Sequence, residues 1–446
     1  MYPVLNKCYA LVKQYENPLL YKVFEEEGYS HNSNSIDIEV INKTACEILE
    51  KCNGIHSIDE ISQFMSIRYN EDYSNVKAIV SRFIETSLNN GFVTMNVRRQ
   101  LCNIYVCGSY DTITPLSAGY EITKACPLKC IHCYNKSGLP KIDELSTEDV
   151  IIILKKLKIA GVMKLNITGG EPMARKDFFE IIEFCSQNFF AITINSNGYF
   201  ITMDAAEKIS KMNHNVIFQI SIDGTEETHN NIRGKADAFK KATKAVEYLA
   251  KMKVPVTVGF TCNKDNFNEI EQVTKLAKQL GAIQISFAKT MNSGRAKDNK
   301  IADNVDIDKL AEVVHNMRLK YSDNTFYVGN ADEEKTNDEN ENSTCGAGTR
   351  LICVRENGDV TPCTSMLQVM GNIKRQEITE LFSVSNIEVF NTLIRPNKNF
   401  CDGCNNTDVC IGCNAAALEL DHPSCKWMNN NNKELSKLKL MPIYEY

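Results

Sequence analysis

The sequence predicts an α/β protein, a partial (β/α)6 barrel between an N-terminal winged-helix-like α+β domain and a C-terminal cysteine-rich domain. Three observations predict it. Strand-like and helix-like segments alternate from about residue 117 to 290. Three helical patterns follow short strands before residue 97. Eight of the eighteen cysteines crowd into Cys345–Cys425. At 446 residues the chain exceeds one ordinary domain, and boundaries are expected at 1–97, 98–330 and 331–446.

The first domain opens with strand-like runs at Cys8–Lys13, Leu19–Phe24 and Ser35–Val40. Of its helices, the second carries Ile58, Ile61, Phe64 and Met65 at helical spacing, and the third Val76, Ile79, Val80, Phe83 and Ile84. Asn90-Gly91 ends that helix and Phe92–Met95 reads as a last strand. In the second domain, strands are expected at Gly119–Thr123, Lys164–Thr168, Ala191–Asn195, Val216–Ile222, Val254–Thr261 and Ile283–Phe287. Helices are expected at Thr147–Ala160, Asp177–Gln187, Met203–Met212, Ala236–Met252 and Asn266–Leu280. Such alternation implies a parallel sheet with helices outside it and a site at the carboxyl ends of the strands. Asp332–Asn342, acidic and without apolar residues, reads as a solvated loop. Beyond it, few regular elements are expected, in a fold held by metal.

Composition excludes several classes. With 43% hydrophobic and 24% charged residues, the chain is that of a soluble globular protein. No run approaches the ~20 apolar residues of a membrane helix, and MYPVLNKCYALVKQYENP lacks the layout of a secretory signal. A cytoplasmic protein with no membrane partner is expected. The net charge of −6 argues against nucleic acid. The winged-helix-like domain is itself acidic, with 8 Lys/Arg against 13 Asp/Glu over residues 1–96, which suits a peptide better than DNA. In a reducing compartment, clustered cysteines are metal ligands more often than disulfides. The scattered Cys8, Cys46, Cys52, Cys102, Cys107, Cys185 and Cys262 read as small buried apolar residues.

Cys126, Cys130 and Cys133 follow the first barrel strand. Three thiolates on one short loop suit three corners of a [4Fe–4S] cluster and leave the fourth iron open, whereas zinc prefers paired C-x2-C knuckles with four ligands. About forty residues on, at the end of the second strand, stand Gly169-Gly170-Glu171-Pro172. Glycines allow close backbone approach, and a carboxylate can pair with an ammonium. This combination resembles the radical S-adenosylmethionine (SAM) superfamily. The resemblance implies that Cys126, Cys130 and Cys133 hold the catalytic cluster and that Tyr134 lies by the adenine. It also implies that Gly169, Gly170, Glu171 and Pro172 hold the methionine amino group. Asn197, Ser221 and Asp223 match further positions near the ribose and carboxylate. Arg233 either faces that carboxylate or is a surface arginine. The implied chemistry is reductive cleavage of S-adenosyl-L-methionine to a 5′-deoxyadenosyl radical that abstracts hydrogen from substrate.

Further on, Cys345, Cys363, Cys401, Cys404, Cys410, Cys413 and Cys425 follow in an order that resembles the SPASM domain, with two residues between Cys410 and Cys413 where three are usual. The resemblance implies two auxiliary [4Fe–4S] clusters, one on Cys401, Cys404, Cys410 and Cys425, the other on Cys345, Cys363 and Cys413. For the latter two readings stay open: Cys353 as fourth ligand, or a site open to substrate sulfur. A pair of zinc knuckles fits Cys401–Cys413 alone but not the block together with the triplet.

The order of three parts is similar to that of sactipeptide maturases, which join a cysteine thiol of a ribosomally made precursor to a backbone carbon. The resemblance implies a precursor peptide whose leader adds a strand to the N-terminal domain, and an electron donor such as flavodoxin or ferredoxin. Alternatives on the same scaffold are a carbon–carbon crosslink, epimerisation or sulfatase-type maturation. An iron–sulfur winged-helix regulator is the reading from a different class.

Overall fold

A computed structural model describes residues 1–22, 38–212, 215–301, 305–330, 343–406, 410, 412–420, 422 and 424–446. The expected loop at 332–342, and part of the expected strands around residues 24 and 35, lie outside these. The chain divides into two compact units.

The first unit comprises Met1–Thr114 with the short segments Ile159–Gly161 and Phe382–Val384. Strands β1 (Tyr2–Leu5), β2 (Tyr9–Lys13), β3 (Leu19–Lys22) and β4 (Ile38–Val40) precede helices α1 (Lys43–Lys51), α2 (Ile58–Tyr69) and α3 (Tyr73–Asn89), then β5 (Val93–Asn96) and β6 (Tyr105–Gly108). Each helix starts on a side chain that accepts from its first free N–H groups: Asn42, Ser57 with Glu60 as a capping box, and Asp72. β1 pairs antiparallel with β5, and β4-β3-β2-β6 form a second sheet. The unit runs past residue 97 because β6 pairs in parallel with β2, a non-local contact without a sequence signal. Ile61 and Met65 of α2 and Val80 and Ile84 of α3 pack on Leu11, Leu20, Cys46 and Leu49. The buried stripes are narrower than expected. Phe64 and Ile79, each one residue and about 100° off the buried row, face solvent.

In the second unit, β7 (Ser117–Glu121), β8 (Lys164–Thr168), β9 (Ala191–Ser196), β10 (Val216–Ser221), β11 (Val256–Cys262) and β12 (Gln284–Lys289) are six parallel strands in sequence order. Helices α4 (Thr147–Ala160), α5 (Phe178–Asn188), α6 (Met203–Ser210), α7 (Glu226–Arg233), α8 (Ala238–Lys251) and α9 (Ile270–Gln279) alternate with them. This is the expected barrel, and its sheet extends further at both ends. After α10 (Gly294–Asp298) and α11 (Ile307–Tyr321), β13 (Tyr327–Asn330) adds in parallel to β12. On the other side β14 (Leu351–Val354) adds in parallel to β7, followed by antiparallel β15 (Asp359–Thr361) and β16 (Gly371–Asn372). Among the described residues β13 and β16 end this sheet without meeting, so the barrel stays open. The cysteine-rich region thus begins as part of the barrel sheet, and short helices follow. Among the described residues no helix is long and apolar enough to cross a membrane.

Candidate active site

The loop after β7 carries the three cysteines, and backbone contacts from three directions hold it. Cys126 N donates to Gly138 O at 2.8 Å, closing the loop on itself. Lys129 N and Ile131 N donate to Arg233 O (3.1 Å) and Ile232 O (2.9 Å) at the end of α7. From α10, Arg295 N donates to Cys133 O (2.9 Å), while its side chain donates to Cys130 O (2.8 Å) and Ser137 O (2.9 Å). Sequence reasoning missed Arg295, since nothing near it marks a partner more than 150 residues away.

Gly169 and Gly170 are glycine because of this same loop. A Cβ on either would stand 2.3 Å from a carbonyl oxygen, that of Thr123 or Ala125 respectively. Gly170 N and Glu171 N donate to these same carbonyls, at 2.7 and 2.8 Å. Pro172 opens the short turn Pro172–Ala174. The Glu171 carboxylate is fully buried and accepts from Met173 N (3.2 Å), Ser196 Oγ (2.9 Å) and Asn197 N (2.8 Å), tying β8 to β9. Burial pushes it up to about 7 despite those donors. Three protein donors thus take up part of the acceptor capacity of this carboxylate.

Two side-chain N–H groups point at the cysteine sulfurs. Asn197 Nδ2 lies 3.6 Å from Cys126 Sγ, and Arg233 Nη1 lies 3.7 Å from Cys130 Sγ. Arg233 is buried, which removes the surface-arginine reading. Its Nη2 is 2.6 Å from Asp223 Oδ2, and Asp223 Oδ1 accepts from Thr261 N at 2.9 Å. Burial alone would raise the Asp223 carboxyl, but Arg233, His132 and His229 hold it below its usual value. Asp223 therefore anchors Arg233 beside Cys130, and His132, inside the triplet, stands 3.5 Å from the same carboxylate. Ser221 is the last residue of β10. Tyr134 donates its hydroxyl to Glu121 Oε1 at 3.0 Å.

Seven cysteines of the C-terminal region fall into two groups. Burial first, with a smaller push from the nearby Cys413 and Cys345 sulfurs, takes the Cys363 thiol up to about 11. Asn414 Nδ2 donates to Cys345 Sγ at 3.2 Å and Met366 N to Cys363 Sγ at 3.3 Å. Cys401, Cys404, Cys410 and Cys425 line one cavity together with Trp427. Cys353 lies inside β14, fully buried and opposite Gly119 of β7. Burial raises its thiol, and among charged neighbours it feels Arg355 and Glu121 ahead of Cys363.

Residues 120–277 match the radical SAM superfamily, and residues 345–405 match SPASM, an iron–sulfur cluster-binding domain. The sporulation killing factor maturation protein SkfB of Bacillus subtilis (strain 168) is 31% identical over 283 residues, 63% of this chain and 68% of that protein. The chain belongs to the radical SAM superfamily. The antilisterial bacteriocin subtilosin biosynthesis protein AlbA of the same strain is 25% identical over 449 residues, 97% of this chain and 98% of that protein. The crystal structure of Streptococcus suis SuiB bound to S-adenosylmethionine shares the fold, with a TM-score of 0.65 over 95% of this chain and 98% of that one at 14% identity.

As a radical SAM enzyme with a SPASM domain, the chain uses [4Fe–4S] clusters and S-adenosyl-L-methionine, and its residues fit them. Burial pushes the Cys126 thiol up to about 12 and raises that of Cys130, so these sulfurs become thiolates only when a metal displaces the proton. The two N–H groups aimed at them suit sulfur that carries negative charge. Nearby, Glu121 Oε2 is buried without a partner, an acceptor left for a ligand.

Proposed function

We propose that this radical SAM enzyme is the maturase of a ribosomally synthesised peptide and forms a thioether between a precursor cysteine and a backbone carbon. The observation that carries this reading is a cavity of ≈ 280 Å³ whose wall combines Lys136, Met291 and Gly294 of the barrel with Ser365 and Ala415 of the cysteine-rich region and Tyr446. Lys136 follows Cys133 by three residues, and Ser365 and Ala415 follow Cys363 and Cys413 by two. The cavity wall thus includes close sequence neighbours of both cysteine groups. The volume is at the low end for ligand sites. It admits a side chain or two of an extended chain, not a folded substrate. SkfB is a sporulation killing factor maturation protein and AlbA an antilisterial bacteriocin biosynthesis protein, and SuiB was also crystallised bound to the precursor peptide SuiA.

Cys126, Cys130 and Cys133 would hold the catalytic cluster. Cys401, Cys404, Cys410 and Cys425 would hold one auxiliary cluster, and Cys345, Cys363 and Cys413 the other. When bound, the catalytic cluster with S-adenosylmethionine supplies a 5′-deoxyadenosyl radical. The chain's own residues do the rest. Arg295 and α7 fix the cysteine loop, Gly169 and Gly170 let β8 close on it, and Arg233, set by Asp223, lies against Cys130. Residues 1–97 would dock the precursor leader, and flavodoxin or ferredoxin in the cytoplasm would supply the electron.

The test is anaerobic reconstitution with a cysteine-rich precursor. About twelve irons per chain, from three four-iron clusters, and a crosslinked peptide lighter by two hydrogens are expected. Cys126→Ala should abolish deoxyadenosine formation. Deleting residues 1–97 should spare uncoupled cleavage and greatly weaken peptide modification. Normal deoxyadenosine from Cys126→Ala, or unchanged turnover of a leader-bearing peptide by the truncated enzyme, refutes the corresponding assignment.

A further inference from the structure

Glu121 and Arg355 are 234 residues apart, and no motif marks either. Glu121 ends β7, just before the cysteine loop, and Arg355 follows β14. Because Val354 pairs with Tyr120 in a parallel ladder, the next residue of each strand comes side by side. Arg355 Nη1 donates to Glu121 Oε1 at 2.9 Å, and both side chains are fully buried. Two charges removed from water are tolerated only with further good partners.

These partners lead to both cysteine groups. Tyr134, the residue after Cys133, donates to the same Glu121 oxygen at 3.0 Å. On the other side, Arg355 Nη2 donates to the carbonyls of Cys363 (3.2 Å), Thr364 (3.1 Å) and Met366 (3.4 Å), and its Nε to Thr361 Oγ1 (3.1 Å). Met366 N in turn donates to Cys363 Sγ. The Tyr444 ring covers the guanidinium at 4.7 Å. All three guanidinium nitrogens are used in one plane, which a lysine ammonium cannot reproduce.

We infer that Arg355 is a positioning residue that couples the loop bearing Cys363, through Glu121, to Tyr134 at the S-adenosylmethionine site. The inference rests on the cluster assignment proposed above. Arg355 is buried between Glu121 and the Cys363 loop, so its effect on S-adenosylmethionine runs through Glu121 and Tyr134.

The test is a double-mutant cycle on S-adenosylmethionine binding, measured by equilibrium dialysis on anaerobically reconstituted enzyme. Tyr134→Phe and Arg355→Lys should each raise Kd about tenfold, the order of one hydrogen bond to a charged acceptor. The double variant should also stay near tenfold, because both changes break one chain, whereas independent effects multiply. Arg355→Lys should in addition shift the paramagnetic resonance of a reduced auxiliary cluster, which Tyr134→Phe should leave alone. A double variant near a hundredfold, a wild-type Kd in Arg355→Lys, or an unshifted auxiliary signal overturns the inference. If Arg355→Lys does not fold, Arg355→Gln, which keeps an N–H donor but cannot span Glu121 and the Cys363 loop together, takes its place in the cycle, read the same way. Wild-type enzyme with far fewer than twelve irons brings down the cluster assignment itself. Full iron with multiplying effects brings down only the coupling.

Discussion

Replacing Gly170 by alanine tests why the end of β8 is glycine. Its Cβ would meet Ala125 O at 2.3 Å, Lys124 O at 2.7 Å and Ala125 C at 2.8 Å, all backbone of the segment that enters Cys126. Ordinary contact begins at 3.4 Å, so that segment would retreat by about 1 Å, beyond what a packed interior absorbs without loss. Two hydrogen bonds cross the contact, Gly170 N to Thr123 O at 2.7 Å and Glu171 N to Ala125 O at 2.8 Å. Each unsatisfied buried backbone group costs on the order of 1–3 kcal/mol, so about 3 kcal/mol is expected in all. Gly138 is the control within the same loop. It accepts from Cys126 N, yet a Cβ there meets nothing within 4 Å. Urea unfolding of cluster-free protein should show that loss for Gly170→Ala and less than about 0.5 kcal/mol for Gly138→Ala. On reconstitution Gly170→Ala should lack the four irons of the triplet and keep about eight others. Wild-type stability and full iron in Gly170→Ala would refute the reasoning, since the close approach would then constrain nothing.

Three further outcomes are expected. Burial lifts Glu171 from 4.5 to about 7, so the folded state binds its proton more tightly than the unfolded chain. Its contribution to stability is complete below about pH 4.5 and lost as pH rises through about 7. The unfolding free energy of wild type minus Glu171→Gln should fall by about 3 kcal/mol across that window, and a flat difference would contradict it. Arg295→Ala removes two side-chain hydrogen bonds from the cysteine loop and should lower deoxyadenosine formation about tenfold with auxiliary iron intact; an unchanged rate would show that α10 does not order the loop. Cys353→Ala should keep all twelve irons, because the thiol is packed inside the sheet; loss of iron would make Cys353 a ligand.

What could be read in advance was whatever the chain states locally. Cluster ligands on one loop must lie within a few residues of one another, so Cys126, Cys130 and Cys133 are visible by their spacing as candidates. β8 to β12 carry their own apolar patterns. Helix α7 was missed because Glu226–Arg233 is nearly all polar, with Ile232 its only aliphatic residue. The strands β6, β13 and β14 are each four residues long and exist through partners far away in sequence. Residue type also does not reveal which of its lone pairs the protein itself uses. Glu171 and Asp223 suggest ligand-facing carboxylates, yet backbone N–H groups and Arg233 engage them.

The least legible feature, the pairing of β14 with β7, has the largest consequence for chemistry. If the cysteine-rich region were tethered only by a linker, its distance from the catalytic loop would vary with the linker. Instead Leu351, Ile352, Cys353 and Val354 stand opposite Ser117, Ala118, Gly119 and Tyr120. The strand that leads to Cys126 and the hairpin that leads to Cys363 are therefore neighbours in one ladder. Sliding one past the other by a single residue would turn every side chain to the opposite face, moving Arg355 away from Glu121 and exchanging the barrel's inner and outer residues. The separation of the two cysteine groups is thus set by hydrogen-bonded register rather than by loop length. Under the proposed function, a peptide held in the cavity of ≈ 280 Å³ would then keep a fixed position relative to both cysteine groups, which is what joining two positions of a flexible chain requires.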